Sequence, residues 1–255
     1  MLKRLGMERE NYYGFIEADD YRLYEKVRQY NRCFSGENAQ EPMKLLDEIE
    51  SKIDMTLLVN KQFIGAGRIW GQTNKGELPI EQANDQLREL LFLTMPPIDS
   101  GVLLYRIPFR TEYKLLNLIA INLRNDNKVE EALGMYEELM KCFKRSRVRM
   151  RHHAVPAFTL YTNLAGLSEE LNRLDRAETI GREGLLHDIG CCRGDIAGDV
   201  LANLSLVYWK RGQSELEEMY LRNGYFLNDF YNRTKGQYKL AEAYRKKFHK
   251  EIDLI

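Results

Sequence analysis

Two stretches of this chain place small residues twelve positions apart across a polar turn. In the first, Leu115-Leu116-Asn117-Leu118-Ile119-Ala120 leads through Asn125-Asp126-Asn127-Lys128 to Ala132. In the second, Asn163-Leu164-Ala165 leads through Asn172-Arg173-Leu174-Asp175 to Ala177. Apolar residues recur at helical spacing on both sides of each turn: Leu115, Leu116, Ile119 and Leu123 before the first, Val129, Leu133, Tyr136, Met140 and Phe143 after it. Two amphipathic helices joined by a tight turn, with small residues where they cross, form the unit of a tetratricopeptide-like array. Such a unit cannot bury its apolar face alone, so the pattern constrains the whole chain to stacked helix pairs.

Weaker copies flank these two. Asn203-Leu204-Ser205 matches Asn163-Leu164-Ala165, and Lys210-Arg211-Gly212-Gln213 supplies a turn, although Glu217 stands where an alanine is expected. Upstream, Gly71 and Ala83 lie twelve apart around Asn74-Lys75-Gly76-Glu77-Leu78-Pro79. The small residues at 71, 120, 165 and 205 are 49, 45 and 40 apart, which calls for helices longer than those of the usual unit of about 34 residues. Asp19 and Asp20 fit an N-cap for a helix to about Phe34, and Pro42 falls early in the next, where its missing N–H does no harm. Leu216, Met219, Tyr220, Leu227 and Phe230 predict a late helix, and lysine-rich Tyr238 to Ile252 a solvent-facing cap. The expected fold is all-α: a right-handed superhelix of about five hairpins and a C-terminal capping helix. Residues 1–18 read as a linker at the end of a preceding domain, and 19–255 as the repeat domain.

Composition narrows the function. Lysine and arginine number 38, aspartate and glutamate 38, so the chain as a whole does not attract a polyanion. No apolar run approaches the roughly 20 residues that span a bilayer. The cysteines, Cys33, Cys142, Cys191 and Cys192, have neither metal nor disulfide-framework spacing. A cytoplasmic protein without cofactor, metal or membrane contact is expected.

In stacked hairpins the first helix of each lines one binding face. Counting two or three places back from the small residues, and again six, gives Arg68, Lys114, Asn117, Thr159, Asn163, Asp199 and Asn203. Asparagine is a poor helix former, so its recurrence asks for a reason. A side-chain amide offers both donors and an acceptor, and so can match a peptide backbone. A ladder of asparagines is thus a candidate clamp for an extended peptide; the alternative is that these amides bond neighbouring helices. The run Lys144 to His153 is either a solvated helix end or an anion site. Gly65-Ala66-Gly67-Arg68-Ile69-Trp70-Gly71 lacks the lysine and hydroxyl of a phosphate loop and reads as close helix packing. His152 and His153 have no ligand partner at metal spacing, and His187 with Cys191 and Cys192 has no orienting third group. Arg193-Gly194-Asp195 and Asn232-Arg233-Thr234 read as chance triplets. No nucleophile–base pair stands out, so catalysis is not expected.

The pattern Leu115-Leu116-Asn117 leading to Ile119-Ala120, with Asn163-Leu164-Ala165 and the long repeats, resembles the C-terminal helical-repeat domain of the Rgg/PlcR-type peptide-pheromone-responsive transcription regulators of Gram-positive bacteria. Leu2-Lys3-Arg4-Leu5-Gly6 followed by Tyr12-Tyr13-Gly14 is similar to the junction behind that family's helix-turn-helix domain. The resemblance implies a short signalling peptide in the groove, groove asparagines at Asn117, Asn163 and Asn203, and a homodimer. It implies DNA contact only through a helix-turn-helix domain that these residues do not include. A tetratricopeptide scaffold docking a protein partner is the alternative.

Overall fold

The computed structural model describes residues 21–33, 40–95, 110–145, 154–190, 197–230, 234–249 and 252. The expected linker over 1–18, the turn at Ser35–Asn38, residues 96–101, most of the basic run, Cys191–Cys192 with Arg193-Gly194-Asp195, and Asn232-Arg233 lie outside them. Among the described residues every element is an α-helix. In chain order they are α1 (Tyr21–Cys33), α2 (Gln40–Glu50), α3 (Leu58–Asn74), α4 (Ile80–Phe92), α5 (Arg110–Asn125), α6 (Val129–Arg145), α7 (Ala154–Glu170), α8 (Leu174–Gly190), α9 (Ala197–Lys210), α10 (Ser214–Phe230) and α11 (Thr234–Phe248). That is five consecutive pairs and a last helix, as the repeat pattern predicts. The chain divides into two compact units, 1–128 and 129–255.

One backbone device sets the register. Asn127, Asn172, Gly76 and Gly212 have positive φ, between 58° and 72°. The N–H one residue further on bonds the carbonyl five back: Lys128 to Leu123, Arg173 to Ser168, Glu77 to Gln72 and Gln213 to Tyr208, all at 2.8–2.9 Å. This left-handed closure satisfies the last helical carbonyls and stops α3, α5, α7 and α9. Arg173 and Gln213 then carry the carbonyls that open α8 and α10, bonded by Ala177 and Glu217. No Cβ clash attends Gly212, so only the backbone conformation resists a side chain there. Gly212→Val will therefore destabilise the α9–α10 hairpin by about 1–2 kcal/mol, and Gly212→Asn by much less. Hydrogen exchange of α9 and α10 in the two variants checks this.

In the first unit, Leu23, Val27 and Tyr30 of α1 meet Leu46 and Ile49 of α2 and Phe63 and Ile64 of α3. The Gly65–Gly71 segment sits at these contacts. A Cβ on Gly67 would run into Tyr30 Oη and Leu46, and one on Gly71 would lie 2.5 Å from Met43 Sδ. Close packing, not phosphate, explains these glycines. Farther on the core turns polar. Gln62 Nε2 donates to Leu90 O (3.0 Å) and Thr94 Oγ1 (2.8 Å), Thr94 donates to the buried Glu112 (2.6 Å), and Asn122 donates to Asn84 (2.9 Å).

In the second unit, Ala132, Ala165 and Ala177 are all but fully buried, as crossing points must be. Gly181 and Gly184 yield to neighbours: a Cβ on them would fall 2.8 Å from Leu204 Cδ2 and 2.9 Å from Tyr161 Cβ. The α10 stripe differs from expectation. Glu217, Leu221, Gly224 and Asn228 face inward, while Leu216, Met219 and Phe230 are exposed. The reason is register: Glu217 follows Gly212 by five residues, as Ala132 follows Asn127 and Ala177 follows Asn172. Its carboxylate escapes the crossing towards Lys247 Nζ at 3.3 Å, and that ammonium lies 4.8 Å over the Trp209 ring. The alanine lost from the repeat has become a tether for α11. The capping helix starts at Thr234 and stops at Phe248, earlier than predicted, because His249 turns left-handed (φ 54°).

Candidate functional site

Measured from the left-handed turn residue, the expected groove positions fall into different rows. Asn163 and Asn203 stand nine places before it and are equivalent, whereas Asn117 stands ten before. Lys114, Thr159 and Asp199 share the row thirteen before. Arg68 stands eight before, in the row of the buried Ile119, Leu164 and Leu204. The second pair has a turn two residues longer, so Ile69 and not Gly71 is the counterpart of Ala120. The twelve-residue step at Gly71 conceals that shift.

The first unit holds three of these side chains. Arg68 reaches back to α2, pairing with Asp47 (2.5 Å) and Glu50 (2.6 Å). Lys114 Nζ lies 4.9 Å over the Phe63 ring and donates to Asn31 Oδ1 at 2.5 Å, linking α5 to α3 and α1. Asn117 is half-buried on α5.

The second unit brings its candidates together where α7 and α9 lie side by side. Asn203 Nδ2 donates to the backbone carbonyl of Thr162 at 2.9 Å. A carbonyl only accepts, so it is the amide nitrogen that faces Thr162. Asn163 Nδ2 donates to Tyr136 Oη at 2.8 Å, joining α7 to α6. Both asparagines thus hold the previous helix pair as well as standing on the face. Thr159 and Asp199 are half-buried one turn towards the helix starts. Asp199 sits in the first turn of α9, where the helix dipole favours its negative charge.

Sequence reasoning missed the residues that complete this face. Six places before the left-handed residue stand Gly166 on α7 and Leu206 on α9, the latter exposed, with exposed Trp209 a turn further on. Gly166 opens onto the Asn203 amide, whose nearest atom is 3.4 Å from where its Cβ would be. Counting from the turn residues rather than the alanines finds this row. At the rim, Lys210 is paired with Glu169 at 2.7 Å.

A second depression of about 490 Å³ lies between α6 and α8, floored by Tyr161 and Leu164. Ion pairs Arg176–Glu137 (2.5 Å) and Lys144–Glu183 (2.8 Å) flank it. Lys144 opens the basic run, whose remainder from 146 is not described. His187 lies against the Tyr161 ring, and burial pushes its pKa down. Among the described residues no three His, Cys, Asp or Glu side chains are placed to hold a metal ion, and no helix is long and apolar enough to cross a membrane.

No protein-family model matches the chain, and no curated protein matches it in sequence. Solved structures do match it in fold. Bacillus thuringiensis PlcR in complex with the peptide PapR7 and DNA superposes with a TM-score of 0.72 at 13% identity, over 94% of this chain and 81% of that one. Its apo form gives 0.68 at 12% identity, over 87% and 77%. A Podosopora anserina kinesin light chain of nearly identical TPR-like repeats gives 0.51 at 13% identity, over 81% and 95%. At these identities the likeness is one of architecture: the chain has an all-α, tetratricopeptide-like helical-repeat fold.

Proposed function

We propose that this chain is a peptide-sensing regulatory domain that binds a short extended peptide along its first helices and pairs as a dimer, with DNA contact left to a separate helix-turn-helix module. The observation that carries this reading is the likeness, over almost the full chain, to PlcR in its peptide complex. The polar face of α7 and α9 supports it. An extended peptide has unpaired backbone groups along its length, and amides, hydroxyls and carboxylates at helical spacing give them partners. Replacing Asn163 and Asn203 with alanine will weaken peptide binding by about 1–3 kcal/mol each. Calorimetry with short secreted peptides of the source organism checks this, and undiminished affinity in the double variant rejects the clamp.

A tetratricopeptide scaffold for a protein partner is the second reading. What favours it is that both Nδ2 groups are engaged inside the chain, to Tyr136 and Thr162. A scaffold shows no saturable binding of short peptides.

A further inference from the structure

We infer that the hollow between α6 and α8 is a second binding site, for a small uncharged aromatic compound that carries a hydrogen-bonding group. It lies on the second helices of two consecutive pairs, and is independent of the peptide-binding reading, which concerns the first helices. Three ion pairs bridge from α6 to α8 and the turn before it: Glu130 to Arg173 (2.7 Å), Glu137 to Arg176 (2.5 Å) and Lys144 to Glu183 (2.8 Å). Glu130, Glu137 and Lys144 follow one another at seven residues, about two turns, and so mark a single stripe of α6. Long side chains that meet tip to tip hold helices farther apart than small residues do at a crossing. The glycines of α8 serve its other sides, since a Cβ on Gly181 would meet Leu204 of α9 and one on Gly184 would meet Tyr161 of α7. What remains open towards α6 is the hollow of about 490 Å³, floored by Tyr161 and Leu164.

Its lining selects the occupant. Six charged side chains line it, and each already has an opposite charge: Glu137 with Arg176, Lys144 with Glu183, Lys141 with Glu138, and Asp175 with Arg211 at 2.6 Å. A charged ligand would have to break one of these pairs, whereas a neutral one breaks none. Among them stand Met140, Ile180, Leu164 and the Tyr161 ring. A thioether and a phenol ring together favour an aromatic guest. The volume falls in the range of about 300–1,000 Å³ usual for small-molecule sites, which combine apolar walls with a few placed polar groups. Here the placed group is the Tyr161 hydroxyl. Tyr161 is only 5% exposed, and its hydroxyl makes no hydrogen bond among the described residues. It stands near enough to Lys144 and Glu183 to feel their charges, and burial pushes its pKa up. It therefore stays a neutral hydroxyl, able to donate to a ligand or accept from one.

Two probes that differ by one hydroxyl test this: 4-fluorophenol and fluorobenzene, titrated into the whole chain and followed by fluorine NMR. 4-Fluorophenol should bind saturably and about fivefold more tightly than fluorobenzene, the gain expected of one hydrogen bond. Tyr161→Phe keeps the ring and should erase that preference. Ile180→Trp, at a half-buried position, should fill the hollow and weaken both probes at least tenfold while leaving the helical circular dichroism unchanged. Met140→Trp, also half-buried, fills it from the α6 wall and gives the same reading should Ile180→Trp not fold. Saturable binding of neither probe overturns the site, as does binding that the filling variants leave intact. A preference for 4-fluorophenol that survives in Tyr161→Phe overturns it too. Peptide binding on α7 and α9 is measured separately, and none of these results decides it.

Discussion

Leu204→Ala will destabilise the second unit by about 3 kcal/mol, and Gly181→Ala will restore part of that loss. Leu204 is fully buried and packs with Val200, Tyr208, Leu185 and Tyr220. Truncating such a leucine forfeits its transfer energy and leaves a cavity, a change that typically costs 2–5 kcal/mol. Its partner across the crossing is Gly181, where a Cβ would stand 2.8 Å from Leu204 Cδ2 and 3.0 Å from Cγ. Alanine at 181 alone thus gains helix propensity, about 1 kcal/mol, but collides with the leucine. With Leu204 shortened the collision is gone and the new methyl fills part of the void. The double-mutant cycle should give a coupling of about 1–2 kcal/mol in favour of the pair. Repeat arrays unfold in parts, so hydrogen exchange across α8 to α10 is a better measure than one melting temperature. Additive effects would mean that α8 and α9 do not cross at this point.

The same crossing shows what is legible in a single sequence. Small residues in the core leave a periodic trace, and Ala120, Ala132, Ala165 and Ala177, all but fully buried, are identifiable by it. The mid-helix glycines at 181 and 184 are readable for the same reason: a residue that costs helix stability must be repaid by proximity. The turn residues were less visible. Asparagine and glycine both adopt the left-handed conformation, so Asn127, Asn172, Gly76 and Gly212 share a role without sharing an identity. The alanine spacing alone sets Gly71 in register with Ala120, and the two extra residues of the turn after α3 leave no mark in it.

The candidate face was legible as residue type and not as orientation. Recurring asparagines marked helix surfaces that need polar partners, and Asn163 and Asn203 do stand in one row. What each amide nitrogen meets is Tyr136 or the Thr162 carbonyl, groups 27 and 41 residues away in the chain. A backbone carbonyl leaves no mark in a sequence. The exposed α10 residues Leu216 and Met219 read in the sequence as a core stripe because a helix tip and a helix core use the same letters; only the position of Gly212 separates them.

Acid will loosen the junction between α8 and α9 through one carboxylate, and Glu178→Gln will abolish that sensitivity. Glu178 accepts from Arg211, from Tyr208 Oη at 2.7 Å and from Arg182 Nε at 2.9 Å. Arg211 foremost, then Tyr208 and Arg182, hold its pKa at about 2, against an ordinary value of 4.5. Burial, and then the same carboxylate, push the Tyr208 hydroxyl to about 12, so it stays a donor throughout the accessible range. A carboxyl whose pKa is lower folded than unfolded stabilises the fold above the unfolded value, and that contribution is lost as pH falls from about 4.5 towards 2. The full shift corresponds to about 3 kcal/mol; since the side chain is 22% exposed and partly screened, about 2 kcal/mol is expected. Glu178→Gln should therefore be about 2 kcal/mol less stable than the parent at pH 7, and the two unfolding curves should converge as pH approaches 2.5. The difference between the curves isolates this group from the other carboxylates, which titrate in both proteins. Curves that stay parallel from pH 7 to pH 2.5 would show that the arginines gain as much from water as from Glu178, and that apolar contacts alone join the last two hairpins.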